Sequence, residues 1–548
     1  MKARAEALQS IAGQSFDVCV IGGGATGSGC ALDSQLRGFK TVQLEAADFA
    51  SGTSSTSTKM AHGGVRYLEE AIRRLDPREY RVLKRALHER IHMLRNAPFL
   101  TGTRQFITPC FSRVEVAYFE IGLKLYDWIA GRDGLAPSRF IPRAETLQLI
   151  PALATGRMVG SVAYTDGQFD DARYNVTLVK SFAAAGGEAL NYARVVAFEK
   201  ETNGKIEAAE VDDRISNRRF VVPARAFINA TGPHADVLRR MANPAAPTRM
   251  RLSKGIHLLL PLDVLLSDDA LLVPKTEDGR VLFAIPWQGR LLVGTTDDEA
   301  KLDDPLDVKK EEVAYVLRQL NKYLARPVTP GQVVSATAGL RPLVRSGKSS
   351  DTKHLARDHV VECDPESGLI SILGGKWTTY RAMAEDTLDA AQKYLGGGGQ
   401  CSTLEHPLAG SQNYTADYWQ TLVQQFGVTE PTARHLAQKY GACAPDVLGL
   451  TKKDPDLAAP LVEGLAPIRA EVVFAARNEM AATIEDVIAR RIGLQLYGWR
   501  EAVRAAPAVA ELLARELGWT AIAKREAITE YQAKIGGWMQ KSGTVTSP

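Results

Sequence analysis

Phe16-Asp-Val-Cys-Val-Ile21 runs straight into Gly22-Gly-Gly24-Ala-Thr-Gly27. It is an apolar strand pattern ending in the spacing Gly-x-Gly-x-x-Gly. A strand that turns sharply into a helix needs a glycine at the turn (Gly22), a second where backbone approaches a pyrophosphate (Gly24), and a third where helix packs on strand (Gly27). The helix N-terminus then faces the anion. The spacing alone also occurs in ordinary glycine-rich turns. Here a second strand pattern, Lys40-Thr-Val-Gln-Leu44, ends in Glu45, where ribose hydroxyls need an acceptor. Strand, glycines, helix, strand and carboxylate in register predict an α/β dinucleotide-binding unit and a function in or near redox chemistry.

The 548 residues are enough for two or three domains and a large core. A net charge of +4 is small for this length and gives no support for a nucleic-acid partner. The six cysteines, at 19, 30, 110, 363, 401 and 443, contain no Cys-x-x-Cys pair, which fits free thiols in a reducing compartment and predicts no metal site. The N-terminus lacks a signal-peptide core, and no uncharged run approaches about 18 residues. The expectation is a cytoplasmic chain that can lie on a membrane without crossing it.

Beyond Glu45 comes the hydroxyl-rich stretch Ser51 to Lys59, followed at once by His62-Gly-Gly-Val-Arg66-Tyr67, chemically capable side chains around a glycine pair. Residues 70–95 read as a basic amphipathic helix with a solvated charged face. Asp170-Asp171-Ala-Arg173 opens a helix running to Ala185, the Asp pair serving as N-cap and first-turn charge. Alternating segments follow at Arg194 to Phe198 and Ile206 to Val211. Phe220-Val-Val222 comes next, then a buried strand from Ala226 that ends in Thr231-Gly232. Residues 250–300 are strand-rich and predict a separate sheet roofing a substrate cavity. A helix is expected over 309–325, a strand over 369–373, and a break at Gly396 to Gly399. The remainder is helical in pattern and carries no chemical motif.

Several blocks together resemble one family. They are Gly22 to Gly27, Thr53 to Lys59, His62 to Tyr67, Asp170 to Arg173, Asn229-Ala-Thr-Gly-Pro233, Lys254-Gly-Ile-His257, Gly294-Thr-Thr-Asp297, Gly339-Leu-Arg-Pro342 and Gly374-Gly-Lys-Trp-Thr-Thr-Tyr-Arg381. In kind and order they resemble FAD-dependent glycerol-3-phosphate dehydrogenases, from about residue 16 to 385 and more loosely beyond. The resemblance implies a Rossmann-like FAD-binding domain (16–95, 160–235 and 336–395), a mixed-sheet substrate domain of the D-amino-acid-oxidase type (96–159 and 236–335) and a C-terminal helical cap (400–548). It implies oxidation of sn-glycerol 3-phosphate to dihydroxyacetone phosphate, with electrons passing to a membrane quinone. It also implies non-covalent FAD, a peripheral position on the inner face of the cell membrane, and a chain that can form a homodimer. The long insertion of similar oxygen-using glycerophosphate oxidases is not evident, which favours the quinone-linked branch. No Asp-x-Asp-x-Asp-Gly loop follows the cap, so calcium control is not expected.

Such a reaction needs a hydride acceptor, a base for the secondary hydroxyl and cations for a phosphate dianion. His62 and His257 are the candidate bases, because an unperturbed imidazole is mostly neutral yet basic near working pH. His62 is favoured for its place beside the hydroxyl-rich loop and Arg66. Arg66, Arg341 and Arg357, with Tyr67 and Lys376, are the expected phosphate and triol contacts, since arginine's fork matches phosphate oxygens bidentately. Lys254 is a further candidate, near flavin N5. The expected FAD contacts are Gly22, Gly24, Gly27, Glu45, Thr53, Ser54, Ser55, Ser57, Gly232, Gly375, Lys376 and Thr378. The alternatives are an oxygen-using glycerophosphate oxidase, another flavin amine or hydroxy-acid oxidoreductase, and a non-catalytic flavoprotein scaffold.

Residues 114–129, Val-Glu-Val-Ala-Tyr-Phe-Glu-Ile-Gly-Leu-Lys-Leu-Tyr-Asp-Trp-Ile, place Glu120, Lys124 and Asp127 on one helical stripe and apolar or aromatic side chains elsewhere. Such a helix is either core or an interfacial membrane helix. The membrane is favoured, with Tyr118, Tyr126 and Trp128 as interface residues and Arg104, Arg113 and Arg132 around them.

Overall fold

The computed structural model describes residues 1–64, 77–345 and 359–544. Phe16–Ile21 lies inside a sheet of eight strands among the described residues, parallel to Thr41–Leu44 on one side and to the second half of Arg218–Asn229 on the other. Ile370–Gly374 continues the parallel run, Glu188–Leu190 flanks Thr41–Leu44, and His359–Cys363 closes the far edge antiparallel. Val18, Cys19 and Val20 are fully buried, as an apolar run without alternation requires of a strand covered on both faces. The helices Ala25–Leu36, Asp171–Ala184 and Tyr380–Leu395 pack on this sheet and on one another.

The segments at Phe220 and Ala226 form one strand, Arg218–Asn229, that changes partners along its length. Arg218 to Pro223 pair antiparallel with Ile206–Asp213, whereas Ala224 to Asn229 pair parallel with Phe16–Ile21. Pro223, which has no N–H to donate, marks the changeover.

The second sheet has ten strands among the described residues, ordered from Asp298–Ala300 through Met250–Pro261, Arg290–Gly294, Leu282–Trp287, Ala270–Val273, Thr101–Cys110 and Gly160–Phe169 to Met60–Ala61. Ser335–Val344 pairs along Met250–Pro261, and Arg139–Pro142 along Gly160–Phe169. This corrects the expected domain boundaries. Residues 60–61, 160–169 and 336–344, assigned from the sequence to the FAD-binding domain, pair in this second sheet. Their partners are far away in the chain, so no local pattern revealed the membership.

The expected helical cap is present, with Glu430–Tyr440, Arg469–Asn478, Trp499–Leu517 and Ala521–Ser542 among its helices. Leu436, Val472 and Val509 of the cap share one hydrophobic core with Ile256, Leu258 and Leu260 of the substrate sheet. Toward the first sheet and its helices the contact is ionic and buried. Arg173 forms a two-pronged pair with Glu479, both bonds 2.6 Å, and Arg490 and Arg491 converge on Asp48.

Arg113–Ala130 is a helix capped by the Ser112 hydroxyl, which accepts from the Glu115 N–H at 3.2 Å. Leu123, Tyr126, Ile129 and Ala130 face the core, while Val114 (79% exposed), Tyr118 (50%), Ile121 (69%) and Trp128 (72%) face outward. Core and surface alternatives are therefore both realised, on opposite faces, and Tyr126 is a core residue rather than an interface one. Phe119 packs partly against the core. Among the described residues, no helix is long and apolar enough to cross a membrane.

Candidate active site

Between the carboxyl ends of the parallel strands and the second sheet lies a cavity of about 1230 Å³. At one end it is built from the glycine turn. Gly22 has φ +123°, and a Cβ there would collide with the Ala230 carbonyl. A Cβ on Gly24 would lie 2.9 Å from the Ser54 hydroxyl, and one on Gly27 would strike the Gly22 carbonyl. Gly22 and Gly24 line the cavity, whereas Gly27 does not and serves the helix-on-strand packing read from the sequence. The helix Ala25–Leu36 points its N-terminus here, with the Ala25 N–H bonded to Ser54 Oγ at 2.9 Å. Glu45 also lines the cavity. Its carboxylate accepts from the Gly23 N–H (2.6 Å) and the Ala47 N–H (2.8 Å), and burial pushes its pKa up.

Thr53, Ser54 and Ser57 line the same end, as do Gly232, Gly375, Lys376 and Thr378. Thr53 Oγ1 donates to the Leu340 carbonyl at 2.6 Å and so ties the loop to the second sheet. Ser55 is a correction, for it does not reach the cavity. The short 3-10 turn Thr53–Ser55 sends successive side chains in different directions. Ser55 instead offers its carbonyl to Lys59 Nζ at 2.7 Å. A cradle that a Cβ would fill, a helix N-terminus and a rim of hydroxyls fit the pyrophosphate of a dinucleotide.

The other end is set by two paired strands, Met250–Pro261 and Ser335–Val344, in which Ser253 faces Arg341 and Gly255 faces Gly339. Arg341 lies across Gly255, where a Cβ would meet its guanidinium. Its Nη2 donates to Thr295 Oγ1 at 2.6 Å, and its Nη1 lies 3.5 Å from both Ser253 Oγ and Asp297 Oδ1. Gly255, Thr295, Asp297 and Thr58 line the cavity but received no role from the sequence, although each stands in or beside a quoted block.

Lys254 is the second correction. Residues of a strand alternate faces. With Gly255 and His257 lining the cavity, Lys254 turns away and pairs with Glu312 of helix Lys310–Asn321 at 2.9 Å.

Both candidate histidines line the cavity. His257 is 2% exposed and shares a 3.0 Å hydrogen bond between Nε2 and the Thr58 hydroxyl. Burial, then the charges of Arg341 and Lys59, push its pKa down to about 3. His62 is partly exposed, and its N–H donates to Thr378 Oγ1 at 3.2 Å. The next residue, Gly63, donates its N–H to the Tyr126 hydroxyl at 3.0 Å. Arg66, Tyr67 and Arg357 lie outside the described residues. A third part of the wall is apolar, formed by Phe119, Ile121 and Leu123 of the Arg113–Ala130 helix with Leu272 and Phe283 of the sheet.

Comparison with known proteins agrees with this geometry. The family model of FAD-dependent oxidoreductases matches residues 17–381, and that of the C-terminal domain of alpha-glycerophosphate oxidase matches 401–524. The mitochondrial glycerol-3-phosphate dehydrogenase of Mesocricetus auratus is 40% identical over 522 residues, 93% of this chain and 72% of its own. The chain belongs to the FAD-dependent glycerol-3-phosphate dehydrogenase family. Another relative, the probable mitochondrial glycerol-3-phosphate dehydrogenase of Dictyostelium discoideum, is 38% identical, with 94% of this chain and 83% of that one covered. The Bacillus halodurans glycerol-3-phosphate dehydrogenase complexed with FAD superimposes with a TM-score of 0.79 at 28% identity, covering 100% of this chain and 99% of its own.

As a member of this glycerol-3-phosphate dehydrogenase family the chain is an FAD-dependent oxidoreductase. The two-sheet architecture with a helical C-terminal domain is the family's fold.

Proposed function

We propose that this chain oxidises sn-glycerol 3-phosphate to dihydroxyacetone phosphate and passes the electrons to a membrane quinone. The observation that carries the first half is that a dinucleotide cradle, two histidines and an arginine fork line one cavity. FAD, when bound, supplies a two-electron acceptor for the hydride leaving C2 of the alcohol. The chain's own residues do the rest. Arg341, already aligned by Thr295, presents its fork to the phosphate, and Lys376, Arg66, Arg357 and Tyr67 add charge and hydrogen bonds to the phosphate and triol. His62 removes the hydroxyl proton. His257, held neutral with a pKa near 3, is too weak a base to keep that proton at neutral pH and instead orients its neighbours through Thr58. The FAD contacts are Gly22, Gly24, Glu45, Thr53, Ser54, Ser57, Gly232, Gly375, Lys376 and Thr378.

The second half rests on the apolar part of the wall. The helix that supplies Phe119, Ile121 and Leu123 to the cavity carries Val114 and Trp128 on its outer face, with Tyr118 and Ile121 exposed at the cavity's mouth between the two. An apolar stripe with aromatic residues suits a monotopic enzyme resting on the inner face of the cell membrane, with a lipid-soluble acceptor close at hand. The alternative acceptor is oxygen, favoured by the name of the C-terminal family model.

Stopped-flow reduction under nitrogen tests the base. His62→Asn is expected to slow flavin reduction about 10²- to 10⁴-fold while FAD stays bound. If His257→Asn shows that loss and His62→Asn does not, the base is His257. Re-oxidation of the reduced enzyme by a short-chain quinone, faster than by air, supports the quinone. Stoichiometric peroxide in air, with no quinone turnover, makes the chain an oxidase.

A further inference from the structure

We propose that the C-terminal cap is the back wall of the FAD cradle, and that Lys439 of the cap is a positioning residue holding the hydroxyl-rich loop in its FAD-binding shape. The site residues drawn from the sequence include none from the cap, yet the cap grips a short run beside the cradle, Asp170 to Asn175, at the start of helix Asp171–Ala184.

That run grips both halves of the cradle. Asn175 Nδ2 donates to the Gly23 carbonyl at 2.8 Å, inside the glycine turn. Asp171 accepts from the Ser57 N–H at 3.0 Å and from Lys59 Nζ, and Lys59 donates in turn to the Ser55 carbonyl. Lys59 and Asp171 thus clip the loop from behind and leave Ser54, Thr56, Ser57 and Thr58 facing the cavity. The clip holds Lys59 at φ +61°, a conformation uncommon outside glycine.

The same run is gripped from the far side by the cap. Asp170 accepts from Lys439 Nζ, and from Gln288 Nε2 at 3.0 Å. Arg173 donates Nε–H to the Lys439 carbonyl at 2.7 Å and its fork to Glu479. Two lysines and two aspartates therefore form a charge-balanced cluster, with Lys59 2%, Lys439 3%, Asp170 8% and Asp171 0% exposed. The Trp287 ring lies 5.6 Å from one ammonium and 6.0 Å from the other and keeps water away from both.

Removing Lys439 leaves two buried carboxylates and one ammonium. An uncompensated buried charge is relieved by protonating a carboxyl or by drawing Lys59 toward Asp170. Drawing Lys59 toward Asp170 strains its bond to the Ser55 carbonyl, and a proton taken up by Asp171 weakens the bond it accepts from the Ser57 N–H. A second brace points the same way, since Asp48, three residues beyond Glu45, is held by Arg490 and Arg491 of the cap. A contact that positions the cradle must be strengthened in return when FAD binds, because such coupling is reciprocal.

The test uses the full chain, stripped of FAD and titrated with it. Lys439→Met is expected to raise the FAD dissociation constant tenfold or more, and Lys439→Arg, which keeps the charge, less than threefold. In wild type, amides of Glu430–Tyr440 should exchange hydrogen more slowly with FAD than without. Lys439→Met binding FAD within twofold of wild type, or both variants weakened equally, overturns the proposal. If Lys439→Met does not fold, equal exchange of that helix with and without FAD overturns it instead.

Discussion

Gly255 and Arg341 make one piece of the cavity wall, since the absent Cβ is the space the guanidinium occupies. Gly255→Ala is therefore expected to fold and bind FAD as wild type does, because the obstructed atom is the end of a flexible side chain, while KM for glycerol 3-phosphate rises about tenfold. Arg341→Lys keeps the charge but loses the fork. Each charge-assisted bond is worth roughly 1.5–3 kcal/mol, about one to two decades in kcat/KM. Steady-state kinetics check both variants, and values within twofold of wild type would remove Arg341 from the substrate site. His257 makes a prediction about stability. Its pKa of about 3 in the fold lies below the unfolded value of about 6.5, so between those limits the unfolded chain binds a proton that the folded one does not. Stability must then rise with pH across that window and be lost as the pH falls through it, by up to roughly 1.4 kcal/mol per unit for this one group. Denaturant unfolding at pH 7 and pH 5 should show a steeper loss for wild type than for His257→Asn. Equal slopes contradict the buried neutral imidazole.

At the scale of elements, periodicity carried most of what was readable. The glycine turn, the parallel strands and the Asp170 N-cap follow from local rules, and the Asp170 carboxylate does accept from the Arg173 N–H. Lys254 was misplaced because its motif was read as a block, without strand alternation, which puts it on the face opposite His257. Ser55 failed for a similar reason, in a 3-10 turn too short to show a period. The helix Arg113–Ala130 shows the opposite limit, for its amphipathic pattern has two apolar faces and only tertiary contact separates them. Changing Val114 and Trp128, the exposed apolar residues of this helix that stay clear of the cavity, to Ser is expected to leave FAD binding and flavin reduction intact while liposome flotation and quinone reduction are lost. Retained flotation would place membrane attachment elsewhere. Leu123→Ser, at a position 2% exposed, should instead lower the melting temperature, as a polar group placed in a core does.

For the whole molecule, two sheets share one cavity and a helical cap closes behind it. The sequence disclosed the three parts but not their boundaries, since the strand Gly160–Phe169 joins the second sheet through partners about sixty residues earlier. The ionic seam between cap and FAD-binding domain was equally hidden. Arg173, Glu479, Arg490 and Asp48 are ordinary charged residues until folding buries them together. The match to the Mesocricetus auratus relative spans 93% of this chain. The central claim is that this single cavity takes a phosphorylated secondary alcohol as reductant for FAD. Anaerobic titration of the FAD-loaded protein with glycerol 3-phosphate, beside parallel titrations with lactate and with amino acids, tests it most directly. Bleaching of the oxidised flavin absorbance by glycerol 3-phosphate alone, complete near one equivalent per flavin in the presence of a quinone-free buffer, is the predicted result; an unchanged spectrum, or bleaching by a carboxylic acid substrate instead, would contradict it.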